Sequence, residues 1–253
     1  MEYRNQQGGV VIGRDRATVG VDAGLRQYML KVYNWMALGL ALTGAVAFAV
    51  ISVDSLRELF FAVGRTAAGY VGVKMTVLGW IALFAPVVLV FIFSFRLHAM
   101  SAATAQGLFW FYAALMGLSL APTVFVYTAQ SVAKVFFITA AMFGAMSLWG
   151  YTTKRDLTGM GNFLIMGVFG LLIAMIVNIF LKSSAMGFAI SILGVLIFTG
   201  LTAYDTQKIK AMYDASDDGE TMAKKGILGA LELYLDFINI FVFLLQLMGA
   251  RKD

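Results

Sequence analysis

Cysteine is absent from this 253-residue chain, and histidine occurs once, at His98. Without thiols there are no disulfides, thiolate zinc sites, haem attachment points or cysteine nucleophiles. A single imidazole cannot build a HExxH metalloprotease site. Charge is scarce as well: 13% of residues are charged, where soluble domains carry ~25%. That deficit excludes a water-soluble enzyme, a nucleic-acid-binding domain and a disordered chain as readings of the whole. Proline occurs twice among 26 glycines, so low complexity does not explain the bias. The segment MEYRNQQGGVVIGRDRATVGVDAG has no apolar core or small-residue cleavage site of a signal peptide, so insertion falls to the first membrane helix.

What is present is apolar surface, 60% of residues. A helix needs ~20 mostly apolar residues to cross a bilayer. Seven windows meet that length: 27–52, 75–95, 102–128, 131–153, 159–181, 184–207 and 227–249. Most separators are short, which forces antiparallel neighbours. The expectation is an all-α integral membrane protein: a polar cytoplasmic tail at 1–26 and one seven-helix membrane domain at 27–250. With the N-terminus inside, 12 Lys and Arg fall on the cytoplasmic side and 7 outside. The bias predicts a cytoplasmic N-terminus and an outward C-terminus. Net charge of +5 then belongs to loops beside anionic lipid, not to nucleic acid.

Ala41/Ala45, Gly117/Ala121 and Ala140/Gly144 are small-xxx-small pairs that allow helices to approach closely. Pro86 and Pro122 should kink the second and third spans by removing a backbone donor. The fifteen Met read as plastic core filler, since a soft-metal relay would want Cys or His beside them.

Sorting the acids by depth is more informative. Of 14, only Asp205, Glu232 and Asp236 lie inside spans, where insertion of a charge costs at least ~2.5–3.5 kcal/mol. Glu232, Asp236 and Asn239 share one face of the last helix. Asp205 closes the sixth span in FTGLTAYDTQKIK, and Arg96 ends the second. N-inside topology puts both aspartates and Arg96 in the cytoplasmic half. Two carboxyls in contact at low dielectric share a proton and titrate as a dyad. Arg96 fits two descriptions, a competing partner for Asp205 or a side chain snorkelling at the interface. Glu232 and His98 fit structural roles better.

At these residues the chain resembles the Bax inhibitor-1 family, also called the transmembrane Bax inhibitor motif family, and is similar to its bacterial members. The resemblance is carried by TKRDLTGMGNFLIMG at 153–167, FTGLTAYDTQKIKAMY at 198–213 and LYLDFINIF at 233–241. It implies a seven-helix bundle with the last helix central, a bacterial inner-membrane location, and a proton-sensitive calcium leak with no cofactor. By the same resemblance Asp205 and Asp236 form the pH-sensing dyad and Arg96 the latch of the closed pore. Glu232 and Asn239 are accessory candidates. Asp205 and Asp236 offer calcium, as cargo, a transient stop among the ~6–8 oxygens it prefers. The acidic run DASDDGE fits either a cation-attracting mouth or a solvated loop.

A second reading remains open: a non-conducting regulator of a membrane protease or cell-death partner, gripped through the 1–26 tail. A proton-coupled transporter is a minor option. Residues 227–249 hold no Lys for a retinal Schiff base, and no buried Ser–His pair for an intramembrane protease can be built around His98 alone. An enzyme is therefore not expected.

Overall fold

The structure, a computed structural model, describes residues 11–66, 69–96 and 99–253, the side chains of 11–22 and Ser94 excepted. His98 and the first ten residues of the expected tail lie outside the described residues. The elements are α1 (Val11–Ser52), α2 (Asp54–Phe60), β1 (Phe61–Arg65), β2 (Val71–Met75), α3 (Val77–Arg96), α4 (Ala102–Phe125), α5 (Ala129–Thr152), α6 (Thr158–Leu181), α7 (Ser184–Ala211) and α8 (Gly219–Met248).

Among the described residues, six helical segments are long and apolar enough to cross a membrane: Ala23–Ser52, α4, α5, α6, α7 and α8. The expected second span coincides with α3, a 20-residue helix that holds Pro86. α1 runs without a break from Val11 to Ser52, so residues 11–26 continue into the first membrane helix. The long separator before the second span has structure of its own. It folds as α2 and an antiparallel hairpin in which Phe61 pairs with Met75 and Arg65 with Val71. Val63, Val71 and Val73 favour extended backbone through their β-branched side chains, and Gly64 and Gly72 weaken any competing helix. Thr76 ties the hairpin to α3: its hydroxyl donates to the Leu59 carbonyl at 2.6 Å and accepts from the Gly79 amide.

Burial among these helices is uneven. In α8, 72% of the most apolar stretch is buried, against 6% in α6. α8 packs on α7, α1, α5 and α4, while α6 packs chiefly on α7. Phe163, Met166, Phe169, Ile173 and Phe180 of α6 point outward, as lipid-facing side chains must. α3 and α4 continue through Pro86 and Pro122. Of the three small-residue pairs, Gly117/Ala121 lies on a packed face: a Cβ on Gly117 would meet the Thr43 carbonyl at 2.6 Å. Ala41, Ala45 and Gly144 are exposed.

The segment after α8 is stitched down. Backbone bonds run from Val71 to Lys252, from Lys252 to Val126 and from Thr128 to Ala250. The Ala250 amide also donates to Ser131 Oγ at 2.7 Å. Hairpin, α4–α5 turn and chain end thus close one end of the bundle.

A carboxyl pair between the last two helices

α7 packs on α8 more extensively than on any other element. Gly150 of α5 brings a third helix close, since a Cβ there would lie 2.2 Å from the Ala203 carbonyl of α7. In this packing the carboxyl groups of Asp205 and Asp236 come into hydrogen-bonding contact. Asp236 is 3% exposed, and Asp205 is half-buried. Asp236 Oδ2 is enclosed without a donor among the described residues.

Beside this pair stands an ion pair. Lys208 Nζ of α7 donates to Glu232 Oε1 of α8 at 2.6 Å, both side chains being partly exposed. The helices are antiparallel, so three residues forward on α7 and four back on α8 lead from the aspartates to Lys208 and Glu232. Lys208 and Glu232 are also charged neighbours of both aspartates. Glu232 Oε2 and the Tyr28 hydroxyl of α1 are buried without hydrogen-bond partners among the described residues. In the sequence Lys208 is one of the 12 Lys and Arg on the cytoplasmic side and by itself carries no further signal. The same i,i+3 and i,i+4 spacing that linked the acids could have paired it with Glu232.

The surrounding polar groups hold α7 in place. Thr206 Oγ1 donates to the Thr202 carbonyl at 2.7 Å, so Ser147 Oγ must be the donor in its 2.9 Å bond to Thr206. The Tyr33 hydroxyl then donates to Ser147 at 2.6 Å. This one-directional chain connects α1, α5 and α7 one residue from Asp205. One residue further on, Gln207 accepts from the Leu157 amide and donates to the Arg155 carbonyl, each at 2.8 Å. The TKRDLTG and YDTQ segments therefore bond to one another.

Arg96 is not brought to the aspartates. It is exposed at the end of α3, which packs chiefly on α4, α2 and β2. It borders a surface pocket with Val88, Phe91, Ile92, Phe95 and Met100. Asn239 turns back to its own helix, donating from Nδ2 to the Leu235 carbonyl at 2.8 Å. Among the described residues, no group of three or more acids or histidines is spaced to hold a metal ion.

The acids of DASDDGE are used locally. Asp214 accepts from the Ser216 amide and hydroxyl, Asp217 from Lys225 Nζ, and Asp218 caps α8 through the Thr221 amide at 2.6 Å. Those bonds hold the Asp214 and Asp218 carboxyls below the usual carboxylate range. Hydrogen bonds from Thr158 do the same to Asp156 in the α5–α6 loop.

The chain has relatives among known proteins. The family model described as "Inhibitor of apoptosis-promoting Bax1" matches residues 25–253. The chain is 50% identical over 244 residues to an uncharacterized protein of Caulobacter vibrioides, covering 96% of each. It is 48% identical to the uncharacterized protein RP147 of Rickettsia prowazekii, covering 92% of this chain and 93% of that one. With the inner membrane protein YbhL of Escherichia coli K12 the identity is 45%, over 94% of this chain and 98% of YbhL.

Proposed function

The chain belongs to the Bax inhibitor-1 family, and from that premise we propose that it is a pH-sensitive calcium leak pathway gated by the Asp205–Asp236 pair. The observation that carries this reading is a carboxyl pair between two membrane helices, Asp236 buried and Asp205 half-buried, with one oxygen of Asp236 enclosed and undonated among the described residues. Such a pair is stable with one shared proton. Loss of that proton leaves two anions in contact, which must separate or recruit a cation.

In this reading α3 completes a seven-span bundle with α8 at its centre, in a bacterial inner membrane as the name of YbhL indicates for that relative. The N-terminus faces the cytoplasm, in accord with the Lys and Arg bias. We assign the part of the positive partner to Lys208 and not Arg96, because Lys208 neighbours both aspartates while Arg96 is exposed on a helix packed elsewhere. Calcium is cargo here. Carboxyl oxygens and water give it a weak stop that it can leave as readily as it enters.

Reconstitution in liposomes containing a calcium dye tests the proposal. Flux in the wild type should change across the physiological pH range, and Asp236→Asn and Asp205→Asn should each remove that dependence. Flux indifferent to pH, or both variants behaving as wild type, refutes it. If the protein instead regulates a membrane protease, co-purification of that partner should survive both substitutions and fail on removal of residues 1–26.

A further inference from the structure

A groove of about 450 Å³ opens on the lipid-facing side between α1 and α5, with α8 as its floor. At the far end of these two helices the Tyr33–Ser147 hydroxyl bond joins them, but along the groove they do not pack closely. Its lining is almost wholly apolar. Phe48 and Phe137 stand out as walls, each 71% exposed, and Phe237, next to Asp236, closes the inner end. Gly44 leaves room, since a Cβ there would find no atom within 4 Å.

Three features commit the groove to one occupant. The first is length. Leu40 and Ile51 both line it, and 11 residues of helix at ~1.5 Å each span about 16 Å. That is half of the ~30 Å hydrocarbon core, the reach of one acyl chain from one leaflet. The second is direction. The groove begins at the bundle end closed by the hairpin and the stitched C-terminus, where Tyr127 and Lys252 border it, and it runs inward from there.

The third is charge. Lys252 Nζ is fixed at the mouth by donating to the Phe125 carbonyl at 2.7 Å and by lying over the Phe125 ring. An ammonium has three donors. Neither Lys252 nor the adjacent Arg251 forms an ion pair among the described residues. A cationic rim on an apolar slot one leaflet deep matches an anionic lipid.

We propose that this groove binds one acyl chain of an anionic phospholipid from the leaflet on the C-terminal side, with the phosphate held by Lys252. The chain end lies against Phe237, so lipid occupancy reports on the turn of α8 that carries Asp236.

The test is native mass spectrometry of the full-length protein released from detergent after exposure to phosphatidylglycerol or phosphatidylcholine of identical chains. The wild type should retain one phosphatidylglycerol, favoured about fivefold over phosphatidylcholine, the size of one lysine's contribution at a charged surface. Lys252→Ala should equalise the two lipids. Gly44→Phe should displace both, and Ala133→Leu on the α5 wall should do the same should the first variant fold poorly. No retained lipid in the wild type, equal retention of both headgroups, or retention unchanged when the groove is filled overturns the proposal. So does a wild-type dimer that Gly44→Phe dissociates, because a second copy would then be the occupant.

Discussion

Asp236 lies at 3% exposure against Asp205, and the nearest cation, Lys208, is already paired to Glu232 at 2.6 Å. The four side chains therefore act as a unit, and single substitutions should be strongly non-additive. Lys208→Met leaves Glu232, one of whose oxygens already has no donor, without a partner in a partly buried seam. Glu232→Gln leaves the lysine charge beside the aspartates. Each single variant should lower the thermal unfolding temperature in detergent. The double variant should cost less than their sum, with a coupling of about 0.5–3 kcal/mol. Additive losses would mean that the pair is incidental to the α7–α8 contact. The acids of this site were legible in the sequence, because an ionisable residue in an apolar run is conspicuous. Lys208 was not, because a lysine near a span end has the same sequence appearance whether it snorkels to water or turns inward to a carboxylate.

At the scale of the element, α8 combines a buried body with a solvated first turn. Asp218 caps that turn, and hydrogen bonds from Thr221 hold its carboxyl below the usual carboxylate range. A group lowered in the fold contributes stability above its ordinary titration range and loses it as the pH falls through the lowered value. The first turn of α8 should thus stay protected at neutral pH and open only in acid. Hydrogen exchange at the Thr221 amide, corrected for its intrinsic rate, should reveal this, and Asp218→Ala should show the acid level of protection at pH 7. Unchanged protection in that variant would remove the cap from the account. Helix spacing matters equally. Gly150 faces the Ala203 backbone, whereas Gly144, six residues earlier on α5, faces open space. Gly150→Ala should destabilise by about 1–3 kcal/mol through overpacking against backbone. Gly144→Ala should be neutral or slightly stabilising through helix propensity. Thermal unfolding of both variants decides. The sequence marked Ala140/Gly144 as a contact pair and did not mark Gly150, because small-residue spacing records where approach is allowed and not which neighbour takes it.

For the whole molecule, the distribution of apolar residues determined the chain's environment. Six long apolar segments leave no fold in water, because their backbone groups can be satisfied only within helices when lipid replaces solvent. The intramembrane acids determined that α7 and α8 face inward, since exposing them to hydrocarbon is costly. These are local properties, fixed by residue type and by the 3.6-residue period, and sequence expresses both directly. Tertiary structure decided the rest: which cation stands at the aspartates, the hairpin before α3, and the splay of α1 from α5 that opens a lipid-deep groove ending at Lys252. Each depends on where two helices meet. In a bundle whose surfaces are apolar throughout, hydrophobicity does not distinguish a helix face from a lipid face, and only packing does. The long apolar runs and the scarce charge thus specify a membrane protein with few polar contacts, and the assembled helices specify which of those contacts are made.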